Sequence, residues 1–172
     1  MAVVRRRVIA GVSGSLRSLG ALRAAVQEAR SVDAVLLPVL AWAPPGGELA
    51  YLRAPCPWLL GRWEQEAHQR LRRAFEDAFG GLPADIVVHP MVVRAAPGPL
   101  LVELADRRDD VLVVGCGGWN RLASIFHGSV ARYCMAHARC PVMAVPPPDL
   151  ITHLRPWRHH WRPEDFTVPL AR

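Results

Sequence analysis

Short apolar runs alternate along this chain with segments of helical periodicity, and that alternation limits the fold more than any other feature. The runs occupy residues 7–12 (RVIAGV), 34–41 (AVLLPVLA), 85–93 (DIVVHPMVV), 110–115 (DVLVVG) and 141–145 (PVMAV). After the first, Leu19, Leu22, Val26 and Ala29 recur at helical spacing. After the second come Leu60, Trp63, Ala67, Leu71, Phe75 and Ala78, closed by Gly80-Gly81. A short helix over residues 99–106 turns Leu100, Leu101 and Leu104 inward, and another runs from Gly128-Ser129 through Val130, Cys134 and His137. Strands and helices in alternation predict a parallel sheet covered on both faces, because each crossover must carry the chain back over the sheet. Pro38 argues for an edge position or a local irregularity in the second strand, since proline cannot donate to a ladder. Residues 44–57, with four prolines and two glycines, read as a loop.

The fourth run ends in a glycine motif, Val111-Leu112-Val113-Val114-Gly115-Cys116-Gly117-Gly118, with Gly128-Ser129 following at a fixed interval. A buried strand thus feeds a glycine-rich loop and then a helix start. Glycine lets backbone approach a polyphosphate closely, and the amides at a helix N-terminus attract its negative charge. A single glycine loop would also serve as a plain strand-to-helix turn; the paired spacing G-x2-G-x9-G-S is far more specific. The 21 basic residues are all arginine. A Walker-type phosphate loop, a protein kinase strand lysine and Schiff-base chemistry are therefore excluded in their standard forms.

This spacing resembles the nucleotide-binding signature of the universal stress protein family. Val8-Ile9-Ala10-Gly11-Val12-Ser13-Gly14-Ser15 looks like the first strand and loop of that family, and residues 36–42 (LLPVLAW) followed by Pro44-Pro45 look like its second strand. Residues 110–118 and 140–145 are similar to its fourth and fifth strands, so the resemblance runs in order from about Arg5 to Pro147. It implies a five-stranded parallel open sheet of order 3-2-1-4-5, Rossmann-like and akin to the adenine nucleotide alpha hydrolases. It also implies a ligand, ATP with or without Mg2+, in the crevice where the first and fourth strands end. Gly115, Gly118, Gly128 and Ser129 match the phosphate-contacting positions, with Gly117 adding freedom and Val130 starting the helix beneath. Gly11, Val12 and Ser13 form the facing loop, and the backbone of Val39 is expected to read the adenine.

Ser13 departs from the family pattern, which often has aspartate there; serine brings no charge, so Mg2+ would lean on phosphate oxygens and water. Ser129 has two competing roles, donor to a phosphate oxygen or helix cap. Arg121, within the nine-residue spacer, either pairs with a phosphate or is a solvated loop arginine. His127 is read first as a loop-packing residue. Cys116 is read as a small side chain in a tight turn, against the alternative of an activated thiol near backbone amides.

At 172 residues the chain suits one domain, residues 1–148, followed by an extension over 149–172 that departs from the family pattern. That extension holds two of the six tryptophans and three of the seven histidines, and is expected to be a partly ordered arm rather than a metal site. The net charge of +6 is spread over scattered arginines, with Arg5-Arg6-Arg7 the one tight run, which favours solubility over nucleic-acid binding. No run is long enough to span a bilayer, no signal-type leader precedes the first strand, and the four cysteines show no CxxC pair; a cytoplasmic location is expected. With no nucleophile–base–orienter set in view, the expectation is an ATP-binding regulatory protein of stress response. At most it would hydrolyse ATP or autophosphorylate very slowly. The alternative is an interaction module that has lost the nucleotide. A homodimer paired through Val142–Val145 is expected, with an unidentified protein partner left open.

Overall fold

A computed structural model describes residues 5–116 and 130–146. Ten elements lie within them: β1 (Arg7–Gly11), α1 (Leu16–Ser31), β2 (Val35–Trp42), α2 (Glu48–Arg53), α3 (Pro57–Phe79), β3 (Met91–Arg94), α4 (Pro97–Leu104), β4 (Val111–Gly115), α5 (Val130–His137) and β5 (Val142–Val145). The strands form one parallel sheet, as the alternation predicts, of order β3-β2-β1-β4-β5, as the family resemblance implies.

Side chains alternate between the two faces. Val8, Ala10, Leu36, Leu40 and Val113 pack with α1 and α3, whereas Ile9, Val39, Leu112 and Val114 pack with Leu101 of α4 and Ala131 and Cys134 of α5. Strands buried on both sides read as unbroken apolar runs, which is why no polar alternation marks them in the sequence. The α1 stripe, Leu19, Leu22, Ala25, Val26 and Ala29, is buried as its spacing requires. Helix α3 ends at Gly80, whose φ of 73° places it in the left-handed region that glycine tolerates best.

Three local expectations change. The third strand is only Met91–Arg94, preceded by a single bridge between Leu36 and Val88. The interruption has a cause on each side. Leu36 donates to the Val87 carbonyl and accepts from the His89 amide, so its polar groups face β3, and two residues on Pro38 faces the same way without a donor. Pro90 sits opposite that gap. Pro38 is thus accommodated in an interior strand, not at an edge, because the ladder it would serve is already broken. Residues 44–57 are not all loop: they contain α2, and α3 starts at Pro57, a residue favoured in a first helical turn. The short helix predicted over 99–106 lies instead at Pro97–Leu104, with Leu101 buried and Leu100 and Leu104 partly so.

Candidate functional site

The ends of β1 and β4 lie side by side. Val8 pairs with Val111, Ile9 with Leu112 and Ala10 with Val113 in parallel, so the chain leaves both strands at the same end of the sheet. From β1 the chain passes to α1 on one face; β4 is reached from α4 on the other. This is the switch point at which open α/β sheets leave a crevice.

On the β1 side the crevice wall is Gly11, Val12, Ser13, Gly14 and Ser15. Val12 is buried, whereas Ser13, Gly14 and Ser15 are exposed. The loop turns at Gly14, with φ of 80° and open space where a Cβ would stand. Ser15 caps α1 by accepting from the Ser18 amide at 3.3 Å, and the Ser18 hydroxyl donates to the Ser15 carbonyl at 2.9 Å. The Ser13 and Ser15 hydroxyls lie 3.0 Å apart. Helix α1 therefore presents its positive end beside two exposed hydroxyls, a surface suited to an anion.

Gly11 and Gly115 each have a packing reason for lacking a side chain. A Cβ on Gly11 would stand 3.0 Å from Leu101 Cδ1, and one on Gly115 would stand 2.9 Å from the Arg17 carbonyl oxygen. The β4 strand end is thus pressed against the first turn of α1. Cys116 is partly buried and its amide donates to the Val145 carbonyl at 2.8 Å, which extends the β4–β5 ladder by one residue. Val39 is 1% exposed, and its carbonyl accepts from the Val12 amide at 2.9 Å. Val130 opens the described part of α5. Gly117, Gly118, Arg121, Gly128 and Ser129 lie outside the described residues, as do His127 and the extension over 149–172. Among the described residues no group of three His, Cys, Asp or Glu side chains converges as a metal site.

Several polar features escaped the sequence reading. At the opposite end of these two strands Arg7 grips Asp110, with Nε to Oδ1 at 2.9 Å and Nη2 to Oδ2 at 2.6 Å. Its guanidinium also reaches Asp106 and the Leu104 carbonyl, and the Arg107 amide completes the shell of the fully buried Asp110. This staple holds Arg7 further above its ordinary pKa and Asp106 below its own. At the end of the edge strand β3, Arg94 holds Glu48 of α2 bidentately, at 2.8 and 2.5 Å, and lies 4.7 Å over the Tyr51 ring. Partners 46 residues apart leave no spacing signal. A groove of about 640 Å3 also runs along α3 past His68, Arg72, Phe75 and Leu82, away from the crevice.

Comparison with known proteins agrees with the fold. The model of the universal stress protein family matches residues 5–146. The chain belongs to the universal stress protein family. Universal stress protein Rv2623 of Mycobacterium tuberculosis (strain H37Rv) is 33% identical over 152 residues, covering 84% of this chain and 48% of its own. Universal stress protein MJ0531 of Methanocaldococcus jannaschii is 27% identical, with 83% of each chain covered. The chain spans about half the length of the mycobacterial relatives it matches. A crystal structure of a universal stress protein in complex with cAMP is 28% identical with a TM-score of 0.54, covering 83% of this chain and 98% of that one. UspA from Lactobacillus plantarum, 19% identical with a TM-score of 0.60 and 82% and 97% of the two chains covered, shares the fold. Among the described residues of this universal stress protein no helix is long and apolar enough to cross a membrane.

Proposed function

We propose that this chain is an adenine-nucleotide-binding regulatory protein whose ligand is ATP, held across the ends of β1 and β4. The carrying observation is that the ends of β1 and β4 lie side by side, with the positive end of α1 and the exposed Ser13 and Ser15 hydroxyls beside the end of β1. The family member solved with cAMP, similar over most of this chain, supports the adenine part. The triphosphate part rests on the sequence: Gly115, Gly118, Gly128 and Ser129 keep the family spacing without a gap, Gly117 adds freedom to the same loop, and Arg121 lies within the spacer. The Val39 backbone is assigned to the base, and Gly11, Val12 and Val130 to the walls. Bound nucleotide would bias a conformation or an assembly in a stress response.

Mg2+, if it accompanies ATP, fits the described side of the crevice only through phosphate oxygens and water, since Ser13 supplies no carboxylate. We place the protein in the cytoplasm, where its four unpaired cysteines remain thiols. The family match ending at residue 146 supports one domain to about residue 148, with an arm beyond it. The outer edge of β5 suits a second copy of the same strand, giving a homodimer.

Calorimetric titration with ATP, with and without Mg2+, tests the reading. Micromolar binding is expected, with a small effect of the metal. No heat and no thermal shift at millimolar ATP would overturn it in favour of an interaction module.

A further inference from the structure

Helix α1 carries arginine at positions 17, 23 and 30, and the first of these stands at the wrong end of it. Arg30 lies in the last turn, where the helix dipole favours a cation, and grips Asp85 at 2.6 and 3.0 Å. Arg23 reaches the Asp77 carbonyl near the end of α3 at 3.2 Å. Arg17 lies in the first turn, where the dipole opposes a positive charge and favours an acid, and that turn holds no acid. A charge that breaks a local rule marks a place where something else offsets it. Arg17 also packs at the end of β4: its carbonyl oxygen stands 2.9 Å, and its Cβ 3.5 Å, from the place a Cβ would take on Gly115. Two residues before it Ser15 caps the helix beside Ser13, and Ser13, Ser15 and Arg17 are all exposed. Long side chains on a helix lie back over the turn N-terminal to their own Cα, which carries the Arg17 guanidinium toward the Gly11–Ser15 loop.

Negative side chains are missing from the same stretches. Residues 11–17 and 115–130, which follow the ends of β1 and β4, contain no Asp or Glu, whereas each holds an arginine, Arg17 and Arg121. Proteins hold Mg2+ through one or two carboxylates together with substrate phosphates, and here the carboxylate half of that set is absent from the sequence. We infer that Arg17 binds the phosphates of the nucleotide directly and stands in for a protein-held Mg2+, so that the site takes the metal-free polyphosphate. This rests on the nucleotide-binding reading and adds to it the residue that neutralises the phosphates. A guanidinium has five N–H donors in a fixed fork, so it meets a phosphate bidentately while keeping a bond to the protein. A phosphate beside it at the start of α1 offsets the conflict between Arg17 and the dipole, which the protein carries when unliganded.

The test is calorimetric titration of the full chain and of its R17M variant with ATP and with adenosine, each with and without Mg2+, beside the thermal midpoints of the unliganded proteins. R17M is expected to weaken ATP binding by about 10- to 100-fold, the worth of a charge-assisted bond, and to bind adenosine as the parent does. Mg2+ should leave the parent's affinity for ATP level or lower it. Without ligand R17M should melt no lower than the parent, because the charge it removes opposes the dipole. Parent-like ATP affinity in R17M overturns the inference and leaves the nucleotide reading intact, as does tighter ATP binding by the parent when Mg2+ is added. Equal losses of ATP and adenosine binding with a lowered midpoint mark Arg17 as structural and overturn it too. No ATP binding by the parent under either condition overturns both.

Discussion

Gly115 carries two explanations at once. Its place in the G-x2-G spacing points to phosphate approach, whereas its geometry shows a Cβ colliding with the Arg17 carbonyl at 2.9 Å. The second explanation concerns backbone from another element and leaves no trace in the local sequence. It separates Gly115 from Gly14, where no atom lies within 4 Å but φ is 80°. Gly115→Ala is expected to cost about 1–3 kcal/mol, the range for overpacking against a neighbour that cannot move aside. Gly14→Ala should cost about 1–2 kcal/mol, from left-handed backbone alone. Urea midpoints of the two variants check this; a parent-like midpoint for Gly115→Ala would mean that the strand end shifts freely from α1. Arg7 and Asp110 make a similar point: each stands at the mouth of an apolar run, and only the register of β1 on β4 makes them partners.

Among the elements, those framed by long periodic stripes were the most legible. Helix α3 kept its stripe and its glycine stop, and α1 its buried face. The sequence makes the third strand too long because residues 85–93 are mostly apolar, Asp85 and His89 apart, while the ladder depends on where Pro38 and Pro90 withhold donors. Helix α2 was hidden for the opposite reason, since its order comes from Arg94, far along the chain. Strand β5 is an edge, with Met143 36% exposed and the outer ladder groups unpaired within the sheet. Met143→Glu should convert the proposed homodimer to monomers by placing like charges across the two-fold axis. Sedimentation equilibrium reads this, and a parent-like mass in the variant rules out that edge as the interface.

For the whole molecule, the order of the sheet and the pairing of the two loop ends follow from the alternation and the family pattern, whereas its charge ties needed coordinates. Arg7 holds the Asp106 carboxyl below the usual range, Arg30 does so for Asp85 and Arg94 for Glu48. Folded pKa values lower than unfolded ones mean that the stabilisation is present above the unfolded values, about 4, and is lost as pH falls through the folded ones. The thermal midpoint should therefore decline below about pH 4, and less steeply in high salt because all three carboxylates face water. A midpoint level from pH 5 to pH 3 would deny these pairs any share in stability. The sheet order has a further consequence, for the time course of synthesis. Strand β1 is made early and pairs with β2 some 28 residues later, yet its other partner begins at Val111, 103 residues beyond Val8. At roughly 5–20 residues per second on the ribosome, the central strand spends about 5–20 seconds with one edge bare. During that interval the nascent chain is open to chaperones and to misassembly with its neighbours.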